Sequence, residues 1–259
     1  MKKAKMFDGY ANAYDQWFMS NANVFASELK LLHRALHGIE KDNILSIGCG
    51  SGLFEAALNR EYGIKVQRGV EPSNDMAEIA RKRGMTVKIG NAETSQLTPN
   101  AYDVIYLNGC SSYIKNLSAA YQNCHKALKK GGHLILLDVP VESAYGILYK
   151  FAAHVGEYDK EIFKEIAPTF PYPIELVRSA IFHSPLEKEN ILRDELGMTN
   201  IRYFQTLTAQ PIYTNDFVEE PEKRAGWIRT LRSLQRNCCV HRWFHITYKH
   251  RVSCTFYNL

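Results

Sequence analysis

The densest chemistry in this sequence lies in Ile44-Leu45-Ser46-Ile47-Gly48-Cys49-Gly50-Ser51-Gly52, an apolar run that ends in three alternating glycines. Gly48, Gly50 and Gly52 let the chain turn sharply and let a ligand lie against bare backbone, because no Cβ stands in the way. A dinucleotide fingerprint that starts at Gly48 needs a small third residue, and Leu53 occupies that place. The spacing therefore suits a nucleoside ligand without a pyrophosphate and weighs against a nicotinamide oxidoreductase. Nineteen residues beyond Gly52, Glu71 closes a second run, Gly69-Val70-Glu71-Pro72-Ser73. An ionised carboxylate there offers only acceptors, which is what two ribose hydroxyls require. A third run ends in Gly90-Asn91-Ala92-Glu93. Asn91 carries both an acceptor and a donor for an adenine edge, and the Met76 thioether can pack on an adenine face.

These residues need elements that bring them to one place, and the chain supplies a regular alternation. Residues 21–37 carry apolar side chains at helical spacing and stop at Gly38. A strand at 44–47 then leads through the glycine turn into a helix at 53–61. The rhythm repeats as strand 65–70, helix 74–83, strand 86–89, strand 102–107, helix 117–129, the Gly131-Gly132 turn and strand 133–138. Strands alternating with helices predict right-handed crossovers and a mostly parallel sheet. Beyond Asp138 the pattern loosens. A helix at 185–196, a strand near 200–207, a helix at 219–236 and a strand at 243–249 follow. Residues 140–182 and 208–236 read as insertions over the carboxyl edge of the sheet, where open α/β sheets bind ligands.

The 259 residues suffice for one large α/β domain, and 46% hydrophobic with 23% charged residues is the balance of a globular chain. The longest apolar runs are too short for a membrane span, and the lysine-bearing N-terminus has no apolar leader core. The six cysteines show neither CxxC spacing nor a zinc pattern, so they read as buried free thiols and no metal is expected. Together these features predict a cytoplasmic protein. The net charge of +5 is uneven: residues 223–259 hold eight Lys or Arg and no acid, whereas the first 222 hold 24 basic against 27 acidic side chains. Arg229, Arg232 and Arg236 recur on one helix face, which opens an alternative nucleic-acid partner.

Taken together, these motifs resemble the class I S-adenosylmethionine-dependent methyltransferases, in particular the type 11 or UbiE-like small-molecule branch. The resemblance is strongest over residues 7–138. It implies an α/β, Rossmann-like methyltransferase fold: a mostly parallel seven-stranded sheet, helices on both faces and a helical lid insertion. It also implies one domain over 1–259, with an N-terminal helical cap at 1–40 and a cofactor-binding core at 41–139. Residues 140–259 would supply substrate-side insertions and a final antiparallel strand pair, from the strands at 200–207 and 243–249. S-adenosyl-L-methionine is the implied cofactor. Gly48, Cys49, Gly50 and Gly52 match the loop around its methionine end, Glu71 and Pro72 the ribose position, and Met76, Asn91, Ala92 and Glu93 the adenine side. Phe7-Asp8-Gly9-Tyr10 and Tyr14-Asp15 resemble the N-terminal segment that folds over the cofactor, with Tyr14 as a contact. Tyr102–Asn108 matches the fourth-strand motif, whose end at Asn108 borders cofactor and substrate. Two positions depart from the pattern. Ser46 stands where the family usually has an acid, and Asn91 where it often has Asp; both bear on affinity.

Methyl transfer from a sulfonium is an in-line displacement that orientation alone can accelerate greatly. A base is needed only when the acceptor must first lose a proton. Asn108, Ser111, Tyr113 and Asp138 near the ends of strands four and five, with His154 in the insertion, are the candidate acceptor-side residues. The leading expectation is a small-molecule methyl acceptor. An RNA-directed enzyme using the basic C-terminal region and a non-catalytic cofactor-binding protein are the alternatives. Asn108-Gly109-Cys110-Ser111 lacks the Asn-Pro-Pro-Tyr sequence that DNA amino-methyltransferases carry at this point.

Overall fold

The computed structural model describes residues 7–141, 179–205 and 253–258. Helices α1 (Ala11–Ser20) and α2 (Ala22–Leu36) come first. Then follow β1 (Ile44–Ile47), α3 (Leu53–Tyr62), β2 (Arg68–Glu71), α4 (Asn74–Lys82), β3 (Thr86–Ile89) and β4 (Tyr102–Asn108). A 3₁₀ turn at Ser111–Tyr113 leads into α5 (Leu117–Ala127) and β5 (Leu128–Asp138). After residues 142–178 come α6 (Pro185–Asn190), continued by a π-helical turn at Ile191–Glu195, then β6 (Thr199–Gln205) and β7 (Ser253–Asn258).

Local chemistry explains where the helices begin. The Ser73 hydroxyl caps α4 by accepting from the Met76 N–H, Asn116 caps α5 through the Ala119 N–H, and Ser184 caps α6 with Pro185 in its first turn. Strands β1 to β5 form a parallel sheet in the order β3-β2-β1-β4-β5. Every residue of β1 is buried, as expected for a strand covered on both faces. One face packs Ile44, Val104, Tyr106, Ile135 and Leu137 against α1 to α4. The other packs Leu45, Ile47, Ile105, Leu107, Leu134 and Leu136 against α5 and Leu192. The chain runs from β1 outward to β3 and then returns to lay β4 on the other side of β1. The carboxyl ends of β1 and β4 therefore flank a topological switch point, where the ligand crevice of such sheets lies.

Three differences from the sequence reading stand out. The helical cap expected at 1–40 holds two helices, α1 and α2, where the sequence reading had delimited only the one at 21–37. Helix α5 ends at Ala127, and Leu128 already pairs with Tyr102. The expected Gly131-Gly132 turn is accordingly an irregularity inside β5, where the register jumps between Tyr102 and Val104. The last strand also differs: β7 lies at Ser253–Asn258, where no strand was expected, and pairs in parallel register with β5 and with β6. Residues 206–252 separate β6 from β7, ample length for a parallel crossover. The strand expected at 243–249 and the helix at 219–236 lie outside the described residues.

Candidate functional site

The glycine loop leaves the end of β1 and is tied at once to β2, since the Gly48 and Cys49 amides both donate to the Val70 carbonyl at 2.7 and 3.3 Å. Gly48 takes a left-handed φ of +67°, and a Cβ there would stand 2.7 Å from Cys110 Cβ. Close packing of the loop on β4 therefore demands glycine at 48. Gly50 is different. Its φ is +54°, and a Cβ would meet nothing nearer than Met76 Sδ at 4.0 Å, so this glycine keeps open space. Cys49 is buried, and burial, reinforced by the Glu55 and Glu71 carboxylates, pushes its thiol pKa well up. It contributes backbone and volume, not a nucleophile.

Glu71 ends β2 directly opposite this loop. Its Oε2 accepts from the Gly50 N–H at 2.9 Å and its Oε1 from the Ser73 N–H at 2.8 Å. Each oxygen keeps a further lone pair. Burial pushes the carboxyl up to about 7 against the pull of those amides, and the Glu55 and Asp8 carboxylates add to the rise. Beyond β3, Asn91 is exposed, and its Oδ1 accepts from the Thr94 N–H and hydroxyl at 2.8 and 2.7 Å. Asn91 thus shapes its own turn with the oxygen assigned to an adenine amino group. Asn123 pins the same loop through the Ala92 and Ser95 carbonyls. Ala92 and Met76 are buried, while Glu93 Oε1 accepts from the Lys115 N–H.

The N-terminal segment closes over this ground. Asp8 accepts from the Ser73 hydroxyl at 2.8 Å and the Asn74 N–H at 3.1 Å, and the Gly9 N–H donates to Asp75. Asp15 takes the Ser51 hydroxyl from the glycine loop and an Arg83 guanidinium N–H at 2.6 Å, while Arg83 also donates to the Ser51 carbonyl at 2.8 Å. Tyr14 packs edge-on to Phe18 in the cluster under α1, while Asp15 ties the segment to the glycine loop. Phe7 sets its ring 5.0 Å from that of Tyr113.

At the end of β4, Asn108 Oδ1 and Ser111 Oγ are buried without a hydrogen-bond partner among the described residues. Asn108 shares a register pair with Leu137, which places it on the α1–α4 face together with the glycine loop. Asp138, one position on, lies on the opposite face and is held in a buried ion pair with Lys188 at 2.7 Å. That pair fastens α6 to the sheet. His154 and the basic residues Arg229, Arg232 and Arg236 lie outside the described residues.

Residues 45–136 match the model of the methyltransferase domain family. A Thermotoga maritima structure, described as a SAM-dependent methyltransferase and possible histamine N-methyltransferase, is 28% identical and superposes with a TM-score of 0.58, covering 73% of this chain and 77% of that one. The chain is an S-adenosylmethionine-dependent methyltransferase with a Rossmann-like fold. Over 222 residues it is 29% identical to an uncharacterized protein of Methanocaldococcus jannaschii, covering 86% of this chain and 93% of that protein. A shorter stretch of 104 residues is 28% identical to trans-aconitate 2-methyltransferase of Agrobacterium fabrum, spanning 40% of the methyltransferase and 38% of that enzyme.

The residues present fit the cofactor. Gly50 offers space a Cβ would fill, Glu71 has two unused lone pairs beside it, and Asn108 Oδ1 is an orphaned acceptor at the next strand end. Sequence reasoning missed Asp8 as a tie to the Ser73-Asn74 turn, and Arg83 and Glu55 altogether. Asp8 and Asp15 were visible only as part of a motif. Arg83 and Glu55 carry no local signal, since a basic residue at a helix C-cap and an acid in a first turn are ordinary placements of charge. Among the described residues no helix is long and apolar enough to cross a membrane.

Proposed function

We propose that this methyltransferase acts on a small-molecule acceptor held between the carboxyl ends of β1 and β4 and the N-terminal segment. The observation that carries this reading is the clasp: Asp8, Gly9 and Asp15 bind α4 and the glycine loop, and Phe7 covers Tyr113. A cleft roofed this way suits a compact acceptor better than a polymer strand. The small acceptors named for the Thermotoga and Agrobacterium proteins support the same class.

S-adenosylmethionine, when bound, supplies an electrophilic methyl group on a sulfonium. The loop Gly48–Gly52 would take the methionine end along its exposed backbone. Glu71 and Pro72 would receive the ribose, with the carboxylate accepting from both hydroxyls. Met76, Ala92 and Glu93 would flank the adenine, and the Asn91 amide N–H₂ would remain to donate. Asn108, and Tyr113 under Phe7, would orient the acceptor and exclude water, which is the main work such a displacement asks of a protein.

The test uses the purified protein with methyl-labelled cofactor and two pools: a panel of small amines, carboxylates and phenols, and bulk RNA. Label transferred to a small molecule, and lost in Glu71→Ala, supports the reading. Label found only in RNA overturns it in favour of the basic C-terminal region.

A further inference from the structure

Glu55 is a carboxyl buried where neither the ribose site nor the acceptor site uses it. It lies in the first turn of α3, only 4% exposed, among the apolar side chains of the α1–α4 face. Its Oε1 accepts from the Ser46 hydroxyl at 2.7 Å and the Tyr106 hydroxyl at 2.6 Å. Ser46 and Tyr106 are register partners on the adjacent parallel strands β1 and β4, so both hydroxyls rise from one face of the sheet beneath the same helix. Burying a carboxyl in such surroundings is costly, and groups of this kind cluster where their charge is used.

Its surroundings indicate where that charge acts. Ser46 precedes Gly48 by two residues and Glu55 follows Gly52 by three, so the hydrogen-bonded pair brackets the glycine loop. Burial is the main cause that raises the Cys49 thiol and the Glu71 carboxyl, and the Glu55 carboxylate adds to both. Burial lifts the Glu55 carboxyl itself, while the Tyr106 and Ser46 hydroxyls and the Arg83 guanidinium pull it down. A cation bound at the loop would add to that downward pull.

We propose that Glu55 is a positioning residue which, through Ser46, Tyr106 and the loop they support, makes the site favour a cationic sulfonium cofactor over its neutral thioether product. This rests on the glycine-loop cofactor site described above. S-adenosylmethionine and S-adenosylhomocysteine share every group except the methyl and its charge, so their affinity ratio isolates the effect from general damage to the site.

The experiment is calorimetric titration at pH 8 with both compounds, on wild type, Glu55→Gln and Tyr106→Phe, each checked by a thermal melt. Glu55→Gln keeps the side chain's shape and can carry no charge. The expected result is S-adenosylmethionine binding weakened about fivefold, an order-of-magnitude Coulomb figure at protein-like dielectric, with S-adenosylhomocysteine unchanged. Tyr106→Phe removes a donor that favours the carboxylate and is expected to lower the ratio less. An unchanged ratio in a folded Glu55→Gln overturns the proposal, however the separate affinities move. Should that variant not fold, an unchanged ratio in Tyr106→Phe overturns it. A wild type that binds neither compound overturns the loop site and Glu55 with it, whereas failure of the ratio alone leaves the loop site standing.

Discussion

Replacing Glu71 by Gln sets cofactor binding against folding stability, and the structure fixes the sign of each. Burial holds the carboxyl at about 7, against an ordinary value of 4.5. The folded chain thus binds this proton more tightly than the unfolded chain does. The stability it contributes is fully present below about pH 4.5 and is lost as pH rises through 7. At about 1.4 kcal/mol per unit, the gap amounts to about 3 kcal/mol across that window. Glu71→Gln removes the titration and keeps the shape. Its single carbonyl oxygen can serve only one of the Gly50 and Ser73 amides well, at a cost of about 1 kcal/mol. The variant should therefore be about 1 kcal/mol less stable than wild type at pH 4.5 and about 2 kcal/mol more stable at pH 8. Urea titrations of both proteins at pH 4.5, 6, 7 and 8 read this difference directly, because the contributions of other buried carboxyls cancel between them. A difference that stays flat over the range would refute the reasoning. S-adenosylmethionine affinity should fall at least about tenfold in the same variant, since two charge-assisted hydrogen bonds become neutral ones.

Other substitutions separate residues that build the site from residues that serve it. Gly48→Ala must hold a left-handed φ and place a Cβ 2.7 Å from Cys110, so urea unfolding should show a loss of about 2–4 kcal/mol. Gly50→Ala must also hold a left-handed φ but meets no close atom, so it should lose only about 1–2 kcal/mol, yet calorimetry should find cofactor binding abolished because the methyl occupies ligand space. Lys188→Met leaves Asp138 buried and unpaired, a loss of about 3–5 kcal/mol; adding Asp138→Leu should recover most of it in the same urea assay. Asp15→Asn weakens a partly exposed pair with Arg83, so the melt should change by less than about 1 kcal/mol. Titration should nonetheless show several-fold weaker cofactor binding as the clasp loosens.

Much of the cofactor half was legible because it is written in short-range terms. Strands 44–47 and 86–89 appear where the alternation of strands and helices placed them, and α3 and α4 begin where Gly52 and Ser73 mark a helix start. Gly48, Gly50, Gly52 and Glu71 converge because each closes or follows a strand of one parallel sheet, and a parallel sheet brings its carboxyl ends together. Where the reading failed, the cause was pairing between strands. Gly131-Gly132 looks like a turn between helix and strand, but Leu128 is drawn into the sheet beside Tyr102, and the glycines absorb the mismatch inside β5. Strand β7 at 253–258 was not expected, because its parallel pairing with β5 and β6 is set by distant partners and leaves no local pattern.

The sequence alone determined the element types, the glycine loop and the carboxylate that faces it, because backbone sterics and side-chain period depend on near neighbours in the chain. Only the tertiary structure decided that Asp8 and Asp15 close the loop with Ser73 and Arg83, partners more than sixty residues away. It alone brought Ser46 and Tyr106 into register beneath Glu55. In the sequence Glu55 is one more acid in a helix. Its chemistry exists only once β1 and β4 lie side by side and packing has removed the water that would otherwise solvate its charge.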